Sequence, residues 1–61
     1  MNGLTSKQLS IVSKYNITVR QDDYSKDFFF FIDGDYYQQK GNDTELDAYL
    51  AGITFVLNRK K

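Results

Sequence analysis

Eight carboxylates stand between positions 22 and 47: Asp22, Asp23, Asp27, Asp33, Asp35, Asp43, Glu45 and Asp47, with only Lys26 and Lys40 among them. Acids at this density could hold a hard cation, act as a general acid and base, or steer a basic partner. A calcium loop needs ligands at regular alternate positions, closed by a glycine and a terminal glutamate. The spacing here lacks that order. Acid–base work needs two carboxyls whose pKa values are driven apart in a cleft, and a 61-residue chain has little room for one. The chain also contains no His and no Cys. It therefore lacks the commonest general base and metal ligand, and it has no thiolate nucleophile. The expectation is a protein that is not an enzyme and has no metal and no cofactor.

The steering role survives these exclusions. Residues 21–50 hold eight acids against two lysines, a net charge of −6, while residues 1–20 carry +3 (Lys7, Lys14, Arg20) and residues 51–61 carry +3 (Arg59, Lys60, Lys61). The overall charge of zero conceals a polarised molecule, and a one-sign surface attracts partners of the opposite sign and repels its own.

Positioning these groups falls to few elements. Leu4-Thr5-Ser6-Lys7-Gln8-Leu9 reads as a helix start: Thr5 and Gln8 form a reciprocal capping box, with Leu4 and Leu9 as a hydrophobic staple. Leu9, Ile11, Val12 and Tyr15 give an apolar stripe, and Asn16 suits a left-handed terminator, so a helix is predicted over 6–15. Ile17-Thr18-Val19-Arg20-Gln21 alternates as a half-buried strand does, and 22–27 reads as a loop. Asp33-Gly34 between the aromatic runs 27–32 and 35–39 predicts a two-residue type I′ hairpin. That turn sets Ile32 opposite Asp35, Phe31 opposite Tyr36, Phe30 opposite Tyr37 and Phe29 opposite Gln38. A second helix follows, capped by Asp43 or Thr44, with Glu45 and Asp47 at the end where its dipole favours negative charge. Its apolar stripe is Leu46, Tyr49, Leu50, Ile53, Val56 and Leu57.

The predicted architecture is one α+β domain over 1–61: helix, three-stranded antiparallel sheet, helix, in two layers with both helices on one sheet face. Phe28, Phe30, Ile32 and Tyr37 form the more apolar sheet face and are assigned to the core. Phe29, Phe31 and Tyr36 are left together on an uncovered face, unless a helix covers that side or the rings simply pair across strands. The loop 22–27 and the segment 40–45 share one end of the sheet, about 17 Å from the turn 33–34 at ~3.3 Å per residue. Asp22, Asp23, Asp27, Asp43, Glu45 and Asp47 are thus expected at one pole, and Asp33 and Asp35 at the other. Ala48, Ala51, Gly52 and Phe55 lie opposite the second helix's stripe, where they either pack on the first helix or form an intermolecular contact such as a homodimer.

No apolar run approaches the ~18 residues of a membrane span, and no basic stretch followed by an apolar one suggests secretion, so a cytoplasmic location is expected. Single-stranded nucleic acid is the rival partner. Phe29, Phe31 and Tyr36 could stack on bases while Lys7, Lys14 and Arg20 meet phosphates, although the acids oppose it. The order of elements resembles that of double-stranded-RNA-binding domains. Their second helix starts with a basic cluster, whereas this one starts Asn42-Asp43-Thr44-Glu45-Leu46-Asp47, so that function does not carry over. In size and pattern the chain resembles short phage-encoded inhibitor proteins: compact, without Cys or His, with the acidic-aromatic hairpin 27–37 and the segment 41–47. That resemblance implies an inhibitor or modulator occupying a basic or nucleic-acid-handling surface of a larger protein, such as a host nuclease or defence protein. The expected contact residues are Asp22, Asp23, Asp27, Phe29, Phe31, Tyr36, Asp43, Glu45, Asp47 and Phe55.

Overall fold

The computed structural model describes residues 3–59, in the order α1 (Ser6–Tyr15), β1 (Ile17–Gln21), β2 (Phe28–Ile32), β3 (Asp35–Tyr36) and α2 (Glu45–Arg59). Lys60 and Lys61, expected at the basic end of the second helix, lie outside the described residues. The three strands form an antiparallel sheet in the order β1-β2-β3, and the chain has the predicted α+β arrangement.

Local chemistry sets most of the boundaries. The Thr5 hydroxyl accepts the Gln8 N–H at 3.2 Å while the Gln8 side chain accepts the Thr5 N–H at 2.9 Å, which satisfies donors that a helix start leaves without partners. Asn16 ends α1 in the left-handed region at φ 52°. Asp33 and Gly34 both have positive φ, 56° and 83°, as the tight hairpin demands. Asn16 and Asp33 are then tied together: the Asp33 N–H donates to the Asn16 carbonyl at 3.0 Å, and the Asn16 amide donates to the Asp33 carboxylate at 3.3 Å. Thr44 caps α2 by accepting the Asp47 N–H at 3.1 Å.

β3 is shorter than the predicted 35–39. Phe31↔Tyr36 and Ile32↔Asp35 pair as expected, but the pairs of Phe30 with Tyr37 and of Phe29 with Gln38 do not form, because the chain leaves the sheet after Tyr36. A side chain takes over. The Gln39 carboxamide accepts the Phe30 N–H at 3.1 Å and donates to the Phe30 carbonyl at 2.9 Å and the Tyr37 carbonyl at 3.0 Å. An amide group carries the same donor and acceptor as a peptide unit, so it can replace one rung of the ladder. One rung further, Asn42 bridges Phe28 through its own backbone, at 2.8 and 3.0 Å. The outer side of β2 is thereby satisfied along its length although β3 spans two residues.

Phe30 and Ile32 point into the core with Ile17, Ile53 and Val56, and Ile11, Val12, Tyr15, Tyr37 and Phe55 pack around them. Full burial of a ring such as Phe30 stabilises by about 1.5–3 kcal/mol. Two expectations about the helices change. Leu9 is 40% exposed, and α1 packs against the core through Ile11, Val12 and Tyr15, with Leu4 from the segment before it. In α2 the buried arc is rotated toward Ala48, Gly52 and Phe55, while Leu57 is 46% exposed. Gly52 is the cause. A Cβ built there would lie 3.0 Å from Ile17 Cγ2 and 3.2 Å from Phe30 Cβ, so the bare glycine lets α2 settle directly on the sheet.

Candidate functional site

Alternation along the strands leaves Thr18, Arg20, Phe29, Phe31 and Tyr36 on the side away from both helices, since their neighbours Ile17, Phe30 and Ile32 fill the core. The register sets Arg20 beside Phe29, Thr18 beside Phe31, and Phe31 beside Tyr36. Tyr36 meets both phenylalanines, Phe31 at 5.8 Å between ring centroids and Phe29 at 6.3 Å in an edge-to-face arrangement. The Arg20 guanidinium lies over the Phe31 ring at 5.5 Å. Such ring pairs contribute about 0.5–1.5 kcal/mol each beyond area burial. Tyr36 nonetheless stays 55% exposed.

The β1–β2 loop closes one end of this face. Asp22 organises it: its carboxylate accepts the Ser25 N–H at 2.7 Å and the Tyr24 N–H at 3.1 Å, while its backbone bonds to Asp27 and Lys26 at 2.8 and 2.9 Å. Hydrogen bonds from the Ser25 backbone, then from its side chain, hold the Asp22 carboxyl below the ordinary value of 3.8, with smaller help from Tyr24 and the Lys26 charge. The loop carries Tyr24 outward at 98% exposure. Together Arg20, Asp22, Asp23, Tyr24, Phe29, Phe31 and Tyr36 line a shallow groove of about 520 Å³.

The remaining expected contact residues are elsewhere. Asp27 packs beside Gly41, where a Cβ would come within 2.6 Å of its own Cβ, so Gly41 is the residue that lets the chain pass. Asp43 and Asp47 line a separate hollow with Lys40 and Leu50, and the Glu45 charge acts on Tyr49, whose hydroxyl is pushed up first by burial and then by that charge. Sharing one end of the sheet does not bring all six acids onto one surface. Among the described residues no three acidic side chains converge closely enough to hold a metal ion.

Phe55, also an expected contact residue, lies on α2. It is half-buried against Tyr37 at 4.9 Å and Phe30 at 5.7 Å, with Arg59 stacked on it at 5.8 Å. Gly52 and Phe55, expected on the first helix or on a second copy, pack on this chain's own sheet, while Ala51 lines the hollow with Asp43 and Asp47. Ala48 and Gly52 are buried within the chain. Tyr24 is the residue that sequence reasoning passed over. Its signal was an aromatic ring within the polar loop Asp22-Asp23-Tyr24-Ser25-Lys26, with no apolar partner at strand or helix spacing.

Comparison with known proteins adds no relative: no family model matches the chain, and no curated protein or solved structure does. No helix among the described residues is long and apolar enough to cross a membrane.

Proposed function

We propose that this chain is a non-enzymatic protein-binding module that inhibits or modulates a larger protein by occupying a basic surface, one of the kind that handles nucleic acid in a nuclease or defence protein. The contact is the open sheet face. What supports this is the combination of an uncovered cluster of three rings with Asp22, Asp23 and the solvated Tyr24 at one end of the same groove. Exposed aromatics serve as anchors at protein interfaces, and acids around them speed encounter with a basic partner. The phage-inhibitor resemblance agrees with this reading at the level of size and pattern.

Single-stranded nucleic acid is the second reading, favoured by Arg20 stacked on Phe31 in the middle of the aromatic face. Asp22 and Asp23 weigh against it, because phosphate attraction supplies most non-specific affinity and these carboxylates oppose it. Affinity capture from the source cells, run in parallel with the wild type, Tyr36→Ala and Leu57→Ala, tests the proposal. Tyr36→Ala should lose the captured protein at a stability cost of about 1–3 kcal/mol from its two ring pairs, with the fold checked by circular dichroism, and Leu57→Ala, on the far side of α2, should retain it. Equal capture by all three refutes the face. Micromolar binding of a decathymidylate near physiological salt, weakened by Phe29→Ala, favours nucleic acid instead.

A further inference from the structure

The groove between the aromatic face and the β1–β2 loop combines two features that recognise the same chemistry. Ring faces attract cations, most strongly where water is partly excluded. Carboxylates supply the opposite charge. Here Phe29 and Tyr36 of the sheet face line the groove together with Asp22, Asp23 and Tyr24 of the loop. Arg20 already shows that the face accepts a guanidinium, but it covers Phe31, and among the described residues no cation lies over Phe29 or Tyr36. Two acids against one arginine leave the lining net negative. The same stacking recurs on the helical side, where Arg59 lies 5.9 Å from Tyr37 and 5.8 Å from Phe55.

We infer that this groove is a receptor for one cationic side chain, the guanidinium or ammonium of an arginine or lysine that the protein partner presents. It sits over Phe29 and Tyr36, Tyr24 closes over it from the loop, and Asp22 and Asp23 balance its charge. This rests on the protein-binding reading above and narrows it from a basic surface to a single anchor. Asp22 is suited to the task because its carboxylate is fixed by two backbone N–H groups, so it stands in place before the cation arrives. Tyr24 supplies a ring that the fold itself leaves 98% exposed. Nucleic acid would instead bring phosphates against both carboxylates.

The test is an NMR titration of the full chain with a blocked Gly-Arg-Gly tripeptide and with the same peptide carrying citrulline, which keeps the shape and loses the charge. The arginine peptide should move the ring signals of Tyr24, Phe29 and Tyr36, and the citrulline peptide should bind at least about two- to fivefold more weakly. Tyr24→Ala, which removes a ring outside the core, should weaken the arginine peptide by a similar factor. Asp23→Asn should weaken it and flatten its salt dependence. Equal response to the two peptides, or signals that move only elsewhere, overturns the inference. If that happens while Tyr36→Ala still abolishes capture of the protein partner, the binding face stands and the cation receptor alone is lost. A decathymidylate that moves the same rings at lower concentration than the arginine peptide overturns both.

Discussion

Replacing Gln39 with alanine removes the rung that a side chain supplies to the sheet. Three hydrogen bonds go, at 3.1, 2.9 and 3.0 Å, and with them the partner of the Phe30 N–H. A net hydrogen bond contributes about 0.5–1.5 kcal/mol, and a half-buried group left without a partner sits at the upper end. The expected loss is about 2–3 kcal/mol. A chain of this length has a total stability of about 3–9 kcal/mol at 0.05–0.15 kcal/mol per residue, so the thermal midpoint should fall by about 10–20 °C. Circular-dichroism melts give the midpoint, and hydrogen exchange supplies the local reading: the Phe30 amide should lose protection before Phe29 and Phe31, which face β1. Gln39→Glu is the sharper variant. Ionised, it still accepts from the Phe30 N–H but sets negative charge against the Phe30 and Tyr37 carbonyls, so its folded pKa should be raised above the ordinary ~4.3. Stability should then be greatest below that value and fall as pH rises through the folded pKa. A Gln39→Ala midpoint within a few degrees of wild type, or a Gln39→Glu midpoint that improves with pH, would refute the view that this amide acts as a strand.

Two further tests address the core and the loop. Gly52→Ala gains about 0.8–1.0 kcal/mol of helix propensity but crowds Ile17 Cγ2 and Phe30 Cβ at 3.0 and 3.2 Å, and overpacking costs about 1–3 kcal/mol. A net loss of about 1 kcal/mol is expected in urea denaturation, and a gain would show that the sheet yields. The Asp22 carboxyl should titrate below 3.8 when followed through the Ser25 amide. Because its folded pKa is depressed, its contribution to loop closure is present above the unfolded value and lost as pH falls through the folded one. A titration at or above 3.8 refutes the role given to its two amide partners.

The ends of α1 and β1 were legible in the chain because they are set by neighbours in sequence. Thr5 with Gln8, Asn16, and Asp33 with Gly34 each act through hydrogen bonds or backbone preferences spanning a few residues, so the bounds of α1 and β1 and the hairpin register follow from residue type alone. Strand alternation, with its period of two, sorts the aromatic run into Phe28, Phe30 and Ile32 against Phe29 and Phe31, but which set meets the helices is decided only by the tertiary structure, which buries Phe30 and Ile32. The rotation of α2 was not legible. Periodicity favours the large residues as the inner stripe, but Gly52 and Ala48 lie inward because contact with the sheet requires close approach, and closeness belongs to two surfaces at once. The truncation of β3 has the same origin: Gln39 reads as one more polar strand residue until the fold returns it to Phe30. Tertiary structure also decided the site. Arg20, Asp22, Tyr24 and Tyr36 share a groove because pairing and loop closure bring them together, whereas Asp43 and Asp47, at the same end of the sheet, open onto a different surface.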